Sequence, residues 1–203
     1  MAPSRIVLAS ASPRRRELLA ASGLSFEVAP VEVDENLSAF VEPAEAALEL
    51  ATRKAIAGAA ALAAGVTHAF VIGSDTIVAV RPQRESAWRL LGKPADADDA
   101  RRMLASLSSS RHQVITGVCV VRCPDLARER AFERTWVTMR AITPAEREAY
   151  VASGEWRDKA GGYAIQENAD AFVTGLEEGG LDNVVGLPVA LTLRLLRAAG
   201  ADF

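Results

Sequence analysis

A chain of 203 residues, half of them apolar and with a formal net charge of −3, has ample material for a core and the composition of an ordinary globular protein. Its mild acidity argues against a dedicated nucleic-acid binder, which would be basic overall or carry a long basic stripe, so no stable nucleic-acid complex is expected. No apolar run approaches a membrane span and the N-terminus carries no long apolar signal segment, so a cytoplasmic chain without a membrane partner is expected.

Residues 6–9, Ile-Val-Leu-Ala, are a short apolar run that predicts a strand, followed by a polar turn and a helix start. Ser12 suits the N-cap and Pro13 the first helical position, where a missing N–H costs nothing. The next three residues are Arg14, Arg15 and Arg16, although the positive end of a helix favours acids. An unfavourable local charge arrangement points to an anion at this turn. The hydroxyls of Ser10 and Ser12, free backbone N–H groups and guanidinium forks together suit phosphate. Gly23 ends the helix, and residues 25–29 read as a second strand. Glu32, Asp34 and Glu35 follow; in an extended chain the first two share a face and Glu35 takes the other.

Pro43 opens an alanine-rich helix through about residue 64, with Gly65 as its stop. Glu45, Glu49 and Arg53 form one favourable row along it, Lys54 comes directly after, and the alanines imply close packing on a neighbour. Residues 69–72 and 77–80 read as one strand buried on both faces, interrupted by a polar break at Gly73-Ser74-Asp75-Thr76. An ionisable group there is costly unless it is paired or metal-bound. Asp75 is therefore the strongest single candidate for chemistry.

Residues 81–86 read as a polar turn, and 87–91 as the return strand of a hairpin that ends in Gly92-Lys93-Pro94. Asp96 caps a helix with Asp98 and Asp99 in its first turn, which obeys the dipole rule. Residues 112–121 and 131–141 read as two long antiparallel neighbours. Thr143-Pro144-Ala145-Glu146 is a capping box opening a helix to about residue 153. Lys159 to Gln166 reads as a glycine-paired turn into a short strand, and residues 171–173 lead into a glycine-rich loop. Pro188 begins a final helix with leucines at 191, 193, 195 and 196 for the core. The sum is one α/β domain over residues 1–203, allowing two lobes. Cys119 and Cys123 are too few for a disulfide framework and read as reduced thiols. His68 and His112 cannot build a histidine-rich metal site, so any metal would sit on carboxylates, which selects a hard ion such as Mg²⁺ or Mn²⁺.

Five segments together resemble the Maf-like nucleoside triphosphate pyrophosphatases: Leu8-Ala9-Ser10-Ala11-Ser12-Pro13-Arg14-Arg15, Gly73-Ser74-Asp75-Thr76, Gly92-Lys93-Pro94, Lys159-Ala160-Gly161-Gly162-Tyr163-Ala164-Ile165-Gln166 and Asn183-Val184-Val185-Gly186-Leu187-Pro188. Each alone is weak; five in order at compatible spacing are specific. The resemblance implies an elongated mixed β-sheet flanked by helices, with two lobes around a cleft, similar to the inosine triphosphate pyrophosphatases. It implies hydrolysis of a nucleoside triphosphate to the monophosphate and pyrophosphate, a house-cleaning role in the nucleotide pool. By position, Asp75 matches the family's proposed general base and Glu35 a second acidic residue, both carried as catalytic and as ligands for Mg²⁺ or Mn²⁺. Ser10, Ser12, Arg14, Arg15, Lys54 and Lys93 are carried as substrate-binding. Arg14, Thr76 and Gln166 fall at the positions tied to base preference and resemble the branch acting on dTTP and UTP. The sister branch preferring 7-methyl-GTP has tryptophan in place of Arg14 and glutamine in place of Thr76. One departure lies after Gln166, where Glu167-Asn168-Ala169-Asp170-Ala171 replaces the family's glycines and removes backbone freedom. Arg16 matches no required position and is expected at the surface. The alternative to an enzyme is a regulatory nucleotide-binding protein affecting cell division and septum formation. Oligomeric state stays open, with a homodimer admitted.

Overall fold

The computed structural model describes residues 4–37, 42–62, 68–81 and 87–203. The elements run β1 (Arg5–Leu8), α1 (Pro13–Ala21), β2 (Glu27–Val28), α2 (Pro43–Ala61), β3 (Ala69–Val80), β4 (Arg89–Leu91) and α3 (Ala97–Leu107). They continue with β5 (Arg111–Cys123), β6 (Arg128–Met139), α4 (Pro144–Ser153), β7 (Val173–Glu177), α5 (Leu181–Val185) and α6 (Val189–Ala198). Single 3₁₀ turns cover Ala160–Gly162 and Asn168–Phe172. The strands form one mixed sheet in the order β2-β1-β3-β5-β6-β7, with β4 also on β3. β1 is parallel to both β2 and β3, whereas β4 on β3 and β7 on β6 are antiparallel. A mixed α/β sheet flanked by helices is the fold class expected. All but the first residue of the predicted turn at 81–86, and the predicted helix stop at Gly65, lie outside the described residues.

The helix starts follow local chemistry. Asp96 accepts from Asp99 N at 2.8 Å, and Thr143 and Glu146 complete a reciprocal capping box ahead of α4. At α1, Ser12 Oγ accepts from Arg15 N at 3.4 Å, and no acid stands in the first turn. The arginine-rich start is therefore a real exception among these helices.

Two expectations are corrected. The polar residues 73–76 do not break β3, which runs unbroken for 12 residues. Three of the four have a reason to stay in the ladder. A Cβ on Gly73 would lie 2.2 Å from Ala51 O and 2.4 Å from Ala55 N, so α2 packs directly on the strand there. Ser74 Oγ donates to Gly186 O at 3.1 Å, and Asp75 pairs with Lys54. The second correction is at residues 163–166, which form no strand. Their polar groups bond elsewhere: Ala164 N donates to Tyr150 Oη at 3.1 Å, and Tyr163 Oη meets His112 Nε2 at 2.9 Å.

By contact density the chain divides into two compact units. The first comprises residues 1–75, 116–133 and 186–203. Its sheet is covered on both faces. On one face Ala51, Ala55 and Ala59 of α2 pack with Val7, Ala9, Val71 and Cys119. On the other, Leu19 of α1 and Leu191, Leu195 and Leu196 of α6 pack with Ile6, Leu8, Phe70 and Ile72. Both cysteines are buried free thiols, and burial pushes each thiol up from its ordinary value.

The second unit comprises residues 76–115 and 134–185. Its core joins Leu104 and Leu107 of α3 to Val114, Val137, Met139, Tyr150, Tyr163 and Phe172. His112 lies fully inside it. Ser110 Oγ donates to Leu107 O at 2.7 Å and stands 3.1 Å from His112 Nδ1. The serine proton is thus committed, so Nδ1–H donates to Ser110 and Nε2 accepts from the Tyr163 hydroxyl. Burial holds this neutral imidazole at a pKa of about 4, down from 6.5. With the folded pKa below the unfolded one, the unfolded chain binds the extra proton, so this contribution is full above pH 6.5 and disappears as pH falls toward 4. About 2.5 units correspond to a loss of roughly 3 kcal/mol over that window. Urea unfolding between pH 7 and 4.5 is expected to show it, with a shallower decline in His112→Gln; equal slopes would refute the assignment.

Candidate active site

The parallel strands β2 and β1 end along one edge of the first unit, level with Ile72, while their parallel neighbour β3 runs on past them. Leu8 pairs with both Val28 and Ile72, so the turn at Ser10, the loop that carries Glu35 and the segment Gly73 to Asp75 all leave from that edge. In open α/β sheets the carboxyl ends of parallel strands are the usual place for ligands, because connecting loops and helix N-termini converge there.

Strand alternation sorts the side chains of β3. Val71 and Gly73 face α2, and Asp75 continues that row. Phe70, Ile72 and Ser74 face α1 and α6. Lys54, on α2, contacts Asp75 Oδ1 directly and reaches Glu35 Oε1 at 2.7 Å. The side chains of Asp75 and Lys54 are only 11% and 13% exposed, while that of Glu35 is 52% exposed. A nearly buried carboxylate and ammonium are thus matched, and a second carboxylate enters from the solvent side. Pairing of this kind offsets desolvation.

On the opposite face Gly186 O accepts from both Ser74 Oγ (3.1 Å) and Arg15 Nε (2.9 Å). Arg15 Nη1 also stands 3.4 Å from Ser10 Oγ, which accepts from Ser12 N at 3.2 Å. Burial draws the Arg15 guanidinium down from its ordinary value; the Asp75 and Glu35 charges oppose this and Arg14 adds to it. Arg15 therefore senses the carboxylates and the neighbouring cation together. Arg16 is exposed, as expected.

Of the residues predicted from sequence, the structure brings Ser10, Ser12, Arg15, Lys54, Glu35 and Asp75 to this edge, with Arg14 on the first turn of α1. Lys54 was expected as a substrate ligand; here its direct partners are the two carboxylates. Both serine oxygens act as acceptors within the turn rather than only as donors toward a ligand.

Thr76, Lys93 and Gln166 belong to the second unit. There Gly161 N donates to Gly92 O at 2.9 Å, and a Cβ on Gly162 would lie 3.0 Å from Pro94 Cγ, so the Gly-Lys-Pro turn packs on the Lys159–Gly162 turn. Both glycines hold φ near +70°, a conformation that disfavours a side chain. Gln166 is exposed. The residues that replace glycine after it tie the loop down: Glu167 pairs with Lys159 at 3.2 Å, and Asn168 bonds Glu155 through both N (3.2 Å) and Nδ2.

Among the described residues no group of three or more His, Cys, Asp or Glu could hold a metal by itself. Asp75 and Glu35 converge on the Lys54 ammonium; their oxygens are the donor type that suits a hard cation completed by substrate phosphate and water. Sequence reasoning missed Gly186 as a carbonyl acceptor and Arg53 as more than a helix partner. No helix among the described residues is long and apolar enough to cross a membrane.

These features define an α/β protein with a cationic turn after β1 and a pair of carboxylates, joined by Lys54, where β3 passes the ends of its parallel neighbours. The chain belongs to the Maf-like family: the profile described as "Maf-like protein" matches residues 5–199. It is 47% identical over 199 residues to the dTTP/UTP pyrophosphatase of Moorella thermoacetica, covering 98% of this chain and 97% of the relative. It is 48% identical over 202 residues to that of Anaeromyxobacter sp. strain Fw109-5, covering 97% and 90%. Identity to the dTTP/UTP pyrophosphatase of Vibrio cholerae is 47% over 196 residues, covering 97% and 98%.

Proposed function

We propose that this chain is a nucleoside triphosphate pyrophosphatase that hydrolyses dTTP and UTP to the nucleoside monophosphate and pyrophosphate, clearing such nucleotides from the cytoplasmic pool. The observation that carries this is Lys54 held between the buried Asp75 and the half-open Glu35, beside Arg15 and the Ser10 turn. The near full-length kinship with dTTP/UTP pyrophosphatases supports it.

Cleaving the α–β phosphoanhydride needs a positioned water, neutralised phosphate charge and a stabilised leaving group. In our assignment Asp75 accepts a proton from the attacking water. Lys54 orients Asp75, and Glu35 completes the acidic pair. Arg14, Arg15 and Lys93 hold the triphosphate, with Ser10 and Ser12 shaping the turn that presents them. Gln166 offers the donor and acceptor needed to read a pyrimidine edge, with Thr76 and Arg14 contributing to the choice. Mg²⁺ or Mn²⁺ on Asp75 and Glu35 would supply Lewis acidity toward the phosphate oxygens. The chain acts on free nucleotide, as a monomer or homodimer.

Incubation with Mg²⁺ and a panel of nucleotides, including dTTP, UTP, modified pyrimidines, purines and 7-methyl-GTP, tests this directly. We expect pyrophosphate and monophosphate, with kcat/KM for dTTP and UTP on the order of tenfold or more above the purines, the equivalent of one or two net hydrogen bonds. Release of orthophosphate would refute the reaction, and a preference for 7-methyl-GTP would refute the base assignment.

A further inference from the structure

Glu35 sits among residues 29–37, which follow β2 without regular structure, and a carboxylate on such a segment is useful only if its backbone is held. The segment closes on itself where Asn36 N donates to Asp34 Oδ1 at 2.9 Å. It is then gripped by α2 at two successive residues. Lys54 takes the Glu35 carboxylate. Arg53 takes the backbone on both sides of it: its Nη1 donates to Asp34 O at 2.8 Å and to Asn36 O at 2.9 Å. The other side of the guanidinium is fixed by its own helix, with Nε donating to Glu49 Oε1 at 3.0 Å, one turn earlier.

We propose that Arg53 is a positioning residue for Glu35: it clamps the carbonyls of Asp34 and Asn36 so that the carboxylate between them is presented to Lys54 and Asp75. The chemistry favours arginine for the task. A planar fork satisfies several acceptors at fixed angles at once, and it loses less freedom in doing so than a flexible ammonium. The Glu49 contact, a solvent-facing helix pair, contributes little as an ion pair; its effect is to hold the guanidinium plane. The arrangement gives the half-exposed Glu35 two restraints. Its main chain and its side chain are both attached to α2, which is itself packed on β3 through Gly73.

This inference rests on the pyrophosphatase reading of the site, so the experiment separates the two. Turnover of dTTP is measured for the wild-type chain, Arg53→Ala, Glu35→Gln and the double variant, alongside amide hydrogen exchange over residues 33–37. We expect Arg53→Ala to lower kcat by roughly ten- to a hundredfold with a smaller change in KM, the signature of a misplaced group rather than lost uniform binding. In the Glu35→Gln background the same change should cost less than about twofold, because an effect routed through Glu35 has nothing left to act on. Exchange at residues 33–37 should accelerate while the rest of the chain is unchanged. Additive losses in the double variant, or unaltered exchange in the segment, would overturn the role of Arg53. A wild-type chain releasing no pyrophosphate would instead overturn the reaction, and the exchange measurement alone would then decide whether Arg53 holds the segment.

Discussion

Replacing Asp75 with asparagine is expected to lower dTTP turnover on the order of 1,000-fold or more, within the range that a positioned general base contributes. The substitution keeps the size and shape of a side chain that is only 11% exposed, so little repacking follows. What it removes is the carboxylate, and with it the group that accepts the proton. Lys54 is not left stranded, since Glu35 Oε1 remains 2.7 Å away and the amide oxygen can still accept. Leaving a buried ammonium without any partner would cost several kcal/mol; with one carboxylate and an amide retained, a loss of about 1–2 kcal/mol is reasonable. For a chain of this size that is a fall in Tm of roughly 2–8 °C. Activity and melting therefore separate cleanly. A variant that melts as predicted yet keeps more than a tenth of its turnover would remove Asp75 from proton transfer.

The local features of this fold were open to the sequence, and those made by distant partners were not. The starts of α1, α3 and α4 could be read because capping needs only a side-chain oxygen and an N–H three residues on, as at Ser12, Asp96 and Thr143. The same locality exposed the misplaced arginines at the first of them. β3 was misread because the partners of its polar residues come from elsewhere: Ser74 from Gly186, 112 positions later, and Asp75 from Lys54 on a helix. Without those partners a polar quartet in an apolar strand looks like a break. Residues 163–166 failed in the opposite sense. A Tyr-Ala-Ile run looks extended and paired, yet its groups bond His112 and Tyr150 rather than a neighbouring strand. Within the site the identities of Asp75, Glu35 and Lys54 were accessible, but their mutual contact was not. Arg53 was legible only as the partner of Glu49, since the carbonyls it clamps have no signature in sequence.

Gly73→Ala should be the most damaging single-methyl change in the first unit. Its new Cβ would stand 2.2 Å from Ala51 O, 2.4 Å from Ala55 N and 2.9 Å from Ala55 Cα. All three are backbone atoms of α2, so no rotamer change relieves the overlap; helix and strand must separate. Gly117 makes the same demand one turn earlier, where a Cβ would lie 2.4 Å from Ala47 O. The alanines at 47, 51 and 55 and the glycines at 73 and 117 are thus two halves of one close contact between helix and sheet. Overpacking usually costs 1–3 kcal/mol, and unrelieved backbone contact belongs at or beyond the top of that range. At about 3 kcal/mol or more, Tm falls by roughly 6–12 °C. Gly175→Ala is the control: it lies in a strand, with its nearest neighbour atom 4.0 Å away, and is expected within about 0.5 kcal/mol of wild type. The consequence for chemistry follows from the same geometry. Lys54 and Arg53 ride on the helix that would be displaced, so Gly73→Ala should also lose turnover at temperatures where it is still folded. Full activity with a Tm within 2 °C of wild type would show that α2 can shift without disturbing Asp75, and that the glycine is not what sets the distance between them.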